Sequence, residues 1–271
     1  MSAQYFKLAT CGVLIAIFSS FVNATSENTK QVPPYNTDVL TKYENLRDLA
    51  RSGNAESKFD AFIFVYEHAS DLQDQAKEAV SFLFESAVAG NLDAQYNLGY
   101  LLQTGRWIER DEEKALLWLL EAASRGHITA QVRCGIVYQK KYYEANSDLG
   151  HNGNLRRPEL REEAENWFRE VISNGRPEQP EVLVATESLG RLLVREKPES
   201  DEGWDLLKEA AQLGYEPAIG TLRALMPALR ESASESYEPA KRRLKELKDF
   251  LVEIENRSRV HPLEGIEMMP D

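Results

Sequence analysis

The side chains best suited to proton transfer or metal ligation are four histidines, His68, His127, His151 and His261. They are scattered over separate segments, and no pair has ligand spacing on one helix. Cys134 sits at an apolar position of a helical pattern and reads as a small buried hydrophobe, not a reactive thiol. The acidic runs Asp111-Glu112-Glu113 and Glu162-Glu163 suit helix starts and solvated faces. No glycine-rich phosphate loop, nucleophile elbow or dinucleotide fingerprint occurs. The expectation is a non-enzymatic chain with no catalytic set, no cofactor and no metal. The residues that invite attention are those suited to binding. Tyrosine and arginine bring contact area and a polar tip at modest entropic cost. Tyr96, Asn97 and Tyr100 form one such group, Val132, Arg133 and Ile136 a second, and Glu187, Ser188 and Arg191 a third. Lys140, Lys141, Tyr142 and Tyr143 add a short cluster of charge and aromatic rings.

These groups stand at matched places in a repeat. Gly90 recurs at Gly126, Ala94 at Ala130 and Gly99 at Gly135, a constant offset of 36. A period of that length with fixed small residues marks stacked helical hairpins. In the first clear unit, Ala94, Leu98, Leu101 and Leu102 face inward on helix A. Thr104-Gly105-Arg106 turns the chain, and Asp111 is placed to cap helix B. Ala115, Trp118, Leu119, Ala122 and Ala123 form the buried stripe of that helix. The second unit opens at Ala130, Cys134, Gly135 and Tyr138, and its Trp167 precedes Gly175 as Trp118 precedes Gly126. It carries an insert at about 141–161, rich in glycine and asparagine, which reads as a long inter-helix loop. Such loops often touch a partner, which makes Lys141, Tyr142 and Tyr143 insert-loop candidates. The third unit opens at Ala185, Leu189 and Gly190 and is looser, with Trp204 out of the tryptophan register. In a hairpin array the A helices line the concave side, so Tyr96, Asn97, Tyr100, Arg133, Glu187 and Arg191 are the concave-face candidates.

The flanks complete the plan. Residues 1–24 have Lys7, a mostly apolar Leu8–Phe21 run and Val22-Asn23-Ala24, the pattern of a cleaved secretory signal peptide. That run is short of the roughly 20 residues of a membrane span. Residues 25–37 read as a flexible lead-in and 38–90 as degenerate N-terminal hairpins. Repeats extend over 91–230. In the 231–258 helix, Ala240, Leu244, Leu247, Leu251 and Ile254 make one apolar stripe. That helix is expected to cap the stack, although its spacing also suits a short coiled coil, which leaves the oligomeric state open. Residues 259–271 read as a tail.

The run Ala94…Leu98-Gly99…Gly105…Asp111…Lys114-Ala115…Trp118…Ala122-Ala123…Gly126 resembles a Sel1-like repeat, a relative of the tetratricopeptide repeat. The match is close to full over 91–126, partial over 127–175 and 185–214, and weak over 43–90 and after 215. The resemblance implies an all-α, right-handed solenoid of antiparallel helical hairpins. It implies a protein-binding module, since members are adaptors and binding proteins. Some secreted bacterial examples resemble immunity proteins that neutralise lipase or cell-wall toxins.

Formal net charge is −12 with only two cysteines, Cys11 in the expected signal peptide and Cys134. No internal disulfide can form in the mature chain, so its stability must come from packing. The acidic balance argues against nucleic acid and anionic lipid. The expected localisation is periplasmic or secreted, with a protein partner and no stable membrane span after signal removal. The leading function is a non-enzymatic periplasmic protein-binding module, in its most concrete form an immunity protein that occludes a secreted toxin. The alternatives are an adaptor in envelope assembly or export, and a glycan- or peptidoglycan-binding protein.

Overall fold

In a computed structural model of the chain, residues 37–147, 157–234 and 237–260 are described. The expected signal peptide, most of the lead-in, the centre of the insert and nearly all of the tail lie outside them. Among the described residues all regular structure is helical and no strand occurs. The chain divides into two compact units, one running to His127 and one starting at Ile128.

The first unit contains α1 (Thr37–Ser52), α2 (Ala55–Glu67), a short 3-10 turn at Gln73–Gln75, α3 (Ala76–Val88), α4 (Leu92–Thr104) and α5 (Glu112–Ser124). Each helix packs on the next. Local chemistry sets their starts. Asn54 caps α2 by accepting from the Ser57 N–H at 3.1 Å, and Asn91 caps α4 by accepting from the Ala94 N–H at 2.8 Å. Asp111 does the same for α5 with the Lys114 N–H at 2.9 Å. The matching Asn54 and Asn91 caps show that the degenerate 38–90 stretch holds a full hairpin, α2–α3, in phase with α4–α5. Gly90, at φ +93°, supplies the left-handed stop after α3. Phe62, Val65, Leu72, Leu83, Leu98 and Leu101 form the centre of this unit's core. Each such burial stabilises by about 1.5–3 kcal/mol.

The second unit contains α6 (Ile128–Ser147), α7 (Pro158–Asn174), α8 (Pro180–Glu196), α9 (Asp201–Gln212), α10 (Glu216–Ser234) and α11 (Glu238–Val260). Helices α6 and α7, α8 and α9, and α10 and α11 pair as hairpins, and the A helices α6, α8 and α10 also pack in succession. The repeated glycines mark where hairpin helices approach most closely. A Cβ on Gly99 would lie 2.8 Å from Leu119 Cγ, and one on Gly135 2.6 Å from Phe168 Cε1. Phe168 is fully buried in the place that Leu119 holds one repeat earlier, whereas Trp167 is only half-buried. Trp118 and Trp167 therefore share a register but not a depth. Trp204 is buried by another route: its indole N–H donates to Pro198 O at 3.0 Å, and the Arg243 guanidinium lies 5.3 Å from its ring centroid.

Three boundaries differ from the sequence expectation. Both ends of the 141–161 insert are helical, because α6 runs to Ser147 and α7 opens at Pro158. The cause is packing. Tyr142 continues the inward stripe of Cys134 and Tyr138 at four-residue spacing and is buried in the core with Phe168 and Leu189. Helix α10 passes through Pro227 and takes in 231–234, so the C-terminal helix starts at Glu238 and not at 231. Helix α1 opens at Thr37, inside the expected lead-in. The C-terminal stripe does cap its unit. Leu247, Leu251 and Ile254 join Trp204, Leu207, Ile219 and Leu222 in one core. Arg243 is buried on the same face and pairs with Asp201 at 2.6 Å.

Candidate partner-binding faces

In the first unit the outward residues of α4 are partly engaged by their own neighbours. Tyr96 stacks on His127 with centroids 5.0 Å apart and planes 17° apart. His127 Nε2 lies 3.1 Å from Asp93 Oδ1, which fixes the imidazole under the tyrosine. The Asn97 side-chain amide donates to the Asp93 carbonyl at 2.8 Å. Tyr100 is half-buried against the unit's core. These three candidates share one helix face, and each keeps part of its surface exposed.

The turn that follows carries a group the sequence reading passed over. Trp107 is half-buried and packs edge-on against Tyr66, centroids 5.5 Å apart and planes at 74°, and against Phe62 at 6.3 Å and 83°. The exposed Arg106 lies with its guanidinium carbon 4.1 Å from the Tyr66 centroid and 5.1 Å from that of Trp107. A tryptophan within a polar turn was the available signal.

In the second unit the contacts between α6 and α8 step along both helices in the same direction. Thr129 donates to Glu181 at 3.3 Å, Arg191 to Gln139 Oε1 at 3.4 Å, and the Arg195 guanidinium lies 4.3 Å from the Tyr143 centroid. The Gln139 amide is buried and donates to Ser188 O at 3.0 Å. Glu187 is 7% exposed, against the expectation of a free contact residue. Its carboxylate accepts from the Thr221 hydroxyl at 2.7 Å and pairs with Arg191 Nε at 3.2 Å. A carboxylate lining the contact between two A helices must be satisfied internally, and here its donors, Thr221, Arg191 and Ser188, come from the protein. Its role is to hold Arg191 and tie α8 to α10.

Tyr142 is likewise removed from any partner by burial, at 5% exposed. Tyr143 is half-buried beneath Arg195 and, with Lys141, belongs to a helix and not to a loop. Burial pushes the Tyr143 phenol above its usual range, with Arg191 and Arg195 pulling it back. Arg191 and Arg195 are exposed and Arg133 is half-buried, so cationic side chains survive as the accessible candidates of this face.

Among the described residues no group of three His, Cys, Asp or Glu side chains is placed to hold a metal ion. Nor is any described helix long and apolar enough to cross a membrane.

Helical hairpins in phase, close-packed at a repeated glycine and edged by outward A-helix side chains, define a helical repeat protein. Residues 92–127 match the Sel1 repeat. The fold resembles that of a Sel1 repeat protein from Oxalobacter formigenes, with TM-score 0.51 and 19% identity over 78% of this chain and 80% of that one. A protective antigen present in uropathogenic Escherichia coli strains, displaying an SLR fold, aligns at TM-score 0.49 and 19% identity over 84% of this chain and 52% of that one. The chain thus contains a Sel1 repeat over residues 92–127 and has a fold similar to that of a Sel1 repeat protein. Sel1 repeats generally mediate protein–protein interaction, and proteins built from them are typically non-enzymatic scaffolds.

Proposed function

We propose that the protein is a non-enzymatic, periplasmic protein-binding module, and that its concrete role is immunity: it neutralises a secreted antibacterial toxin, such as a lipase or cell-wall hydrolase, by covering it. The observation that carries the binding reading is the buried bracing of α8. Gln139, Ser188, Glu187 and Thr221 lock the A helices together beneath Arg191 and Arg195. A surface held in place before the partner arrives loses little conformational entropy on binding. Occlusion needs a large preformed interface and no catalytic group. The periplasmic part rests on the signal-peptide pattern of residues 1–24.

The test is affinity capture of the tagged mature protein from its native periplasm, read by mass spectrometry. One tightly held secreted hydrolase is the expected result. Capture of envelope-assembly components in its place would replace immunity with an adaptor role.

A further inference from the structure

Many of the described arginines hold a carboxylate. Arg51, Arg169, Arg191, Arg223 and Arg243 each hold one within 3.2 Å, and Arg110 holds Glu112. Arg106 does not. Among the described residues its guanidinium has no carboxylate within ion-pair distance and lies against the Tyr66 and Trp107 rings. The guanidinium is therefore held against two aromatic rings while the side chain stays exposed. An exposed guanidinium held against rings loses less freedom when it takes up a carboxylate, which it can bind through two parallel hydrogen bonds.

The backbone holds it there at a cost. Trp107 has φ +65°, a left-handed conformation that a bulky residue rarely adopts. Such a conformation persists only where its surroundings impose it. Here they do. Ile108 packs on the core beside Trp107, and Gly105 closes α4 at φ +76°. The Asp111 N–H donates to Leu102 O at 2.8 Å, pinning the base of the turn. The exposed arginine thus sits in a corner of two perpendicular rings, in a turn fixed at both ends.

We propose that the α4–α5 turn is a docking point for a side-chain carboxylate of the protein partner, with Arg106 as its ligand and Tyr66 and Trp107 as the apolar rim. This rests on the protein-binding reading above and names the chemistry of one contact. Net charge favours a single carboxylate in a local contact over a polyanion, because a formal charge of −12 repels nucleic acid at long range. Arginine, tryptophan and tyrosine together are also the composition of binding hot spots.

The experiment pans the mature protein against a phage-displayed library of short random peptides and measures the affinity of those recovered. The expected peptides carry Asp or Glu beside an apolar residue and bind Arg106→Gln at least about tenfold more weakly. Arg106→Lys is intermediate, since an ammonium keeps the charge but not the fork. Trp107→Gly accepts the same backbone without strain and also binds more weakly, having lost the rim. Circular dichroism of each variant checks that the helices are intact. Peptides that bind Arg106→Gln as tightly as the wild type, or a library that yields no binder, overturn the docking point. In the first case the protein-binding reading survives at another face. Retention on isolated peptidoglycan or on an oligonucleotide that Arg106→Gln abolishes also overturns the proposal, by giving the turn a different ligand.

Discussion

At the scale of the residue, small side chains do the most work. Gly135 faces the Phe168 ring at a separation no Cβ can tolerate, and that ring is fully buried. Gly135→Ala should cost about 1–3 kcal/mol by overpacking, measured as a lower urea midpoint with unchanged slope. Next to it, Cys134 shows what burial does to a thiol. It is fully buried, and desolvation pushes its pKa from 9.0 up to about 12. The unfolded chain therefore releases this proton first as the pH rises. The stabilisation from keeping the thiol neutral is complete below pH 9 and is lost between there and about 12. Two outcomes follow: Cys134 in the native protein resists thiol reagents until the chain is unfolded, and Cys134→Ala loses stability less steeply than wild type above pH 9. A Cys134 that reacts at once in the native state would contradict this packing. The apolar reading of Cys134 was available from its place in the pattern. The burial of Glu187 was not, because Thr221 that receives it lies on another helix.

At the scale of the element, legibility tracked how locally each boundary is written. Helices α4 and α5 were readable because Asn91, Gly105 and Asp111 act on their own neighbours within a turn. The far end of α6 was not. Gly150, Asn152 and Gly153 draw the eye to a loop, while the Tyr142 core contact that extends the helix depends on α7 and α8. The Arg106–Trp107 turn escaped notice for a related reason. No propensity places a tryptophan at positive φ, and the packing of Trp107 on the rings of α2 together with the pinned base of the turn holds it there. The C-terminal stripe was legible throughout, and it supports a clear prediction. Leu247 is 1% exposed within the second unit's core, so Leu247→Ala should cost about 2–5 kcal/mol. Val252, on the outer side of the same helix and 56% exposed, should tolerate Ala within about 0.5 kcal/mol. Thermal melts of the two variants separate a capping helix from one that only decorates the surface.

At the scale of the whole molecule, two units each carry their own core, and the proposed contacts fall within units, Arg106 in the first and the α6–α8 face in the second. Charge follows the same division of labour. Many described cations are held by neighbouring carboxylates, while Arg106 and Arg195 stay exposed against aromatic rings. The proposed carboxylate contact at Arg106 is therefore local and acts against the net charge of −12, which by itself steers basic partners. The central claim is that such a partner is silenced by being covered, with no chemistry done to it. The direct measurement is a titration of the captured hydrolase with the purified protein while its activity is followed. The account predicts loss of activity that completes at one equivalent, with the hydrolase recovered chemically intact. A hydrolase that is saturated with the protein yet fully active, or one that is inactivated by substoichiometric amounts, would contradict it.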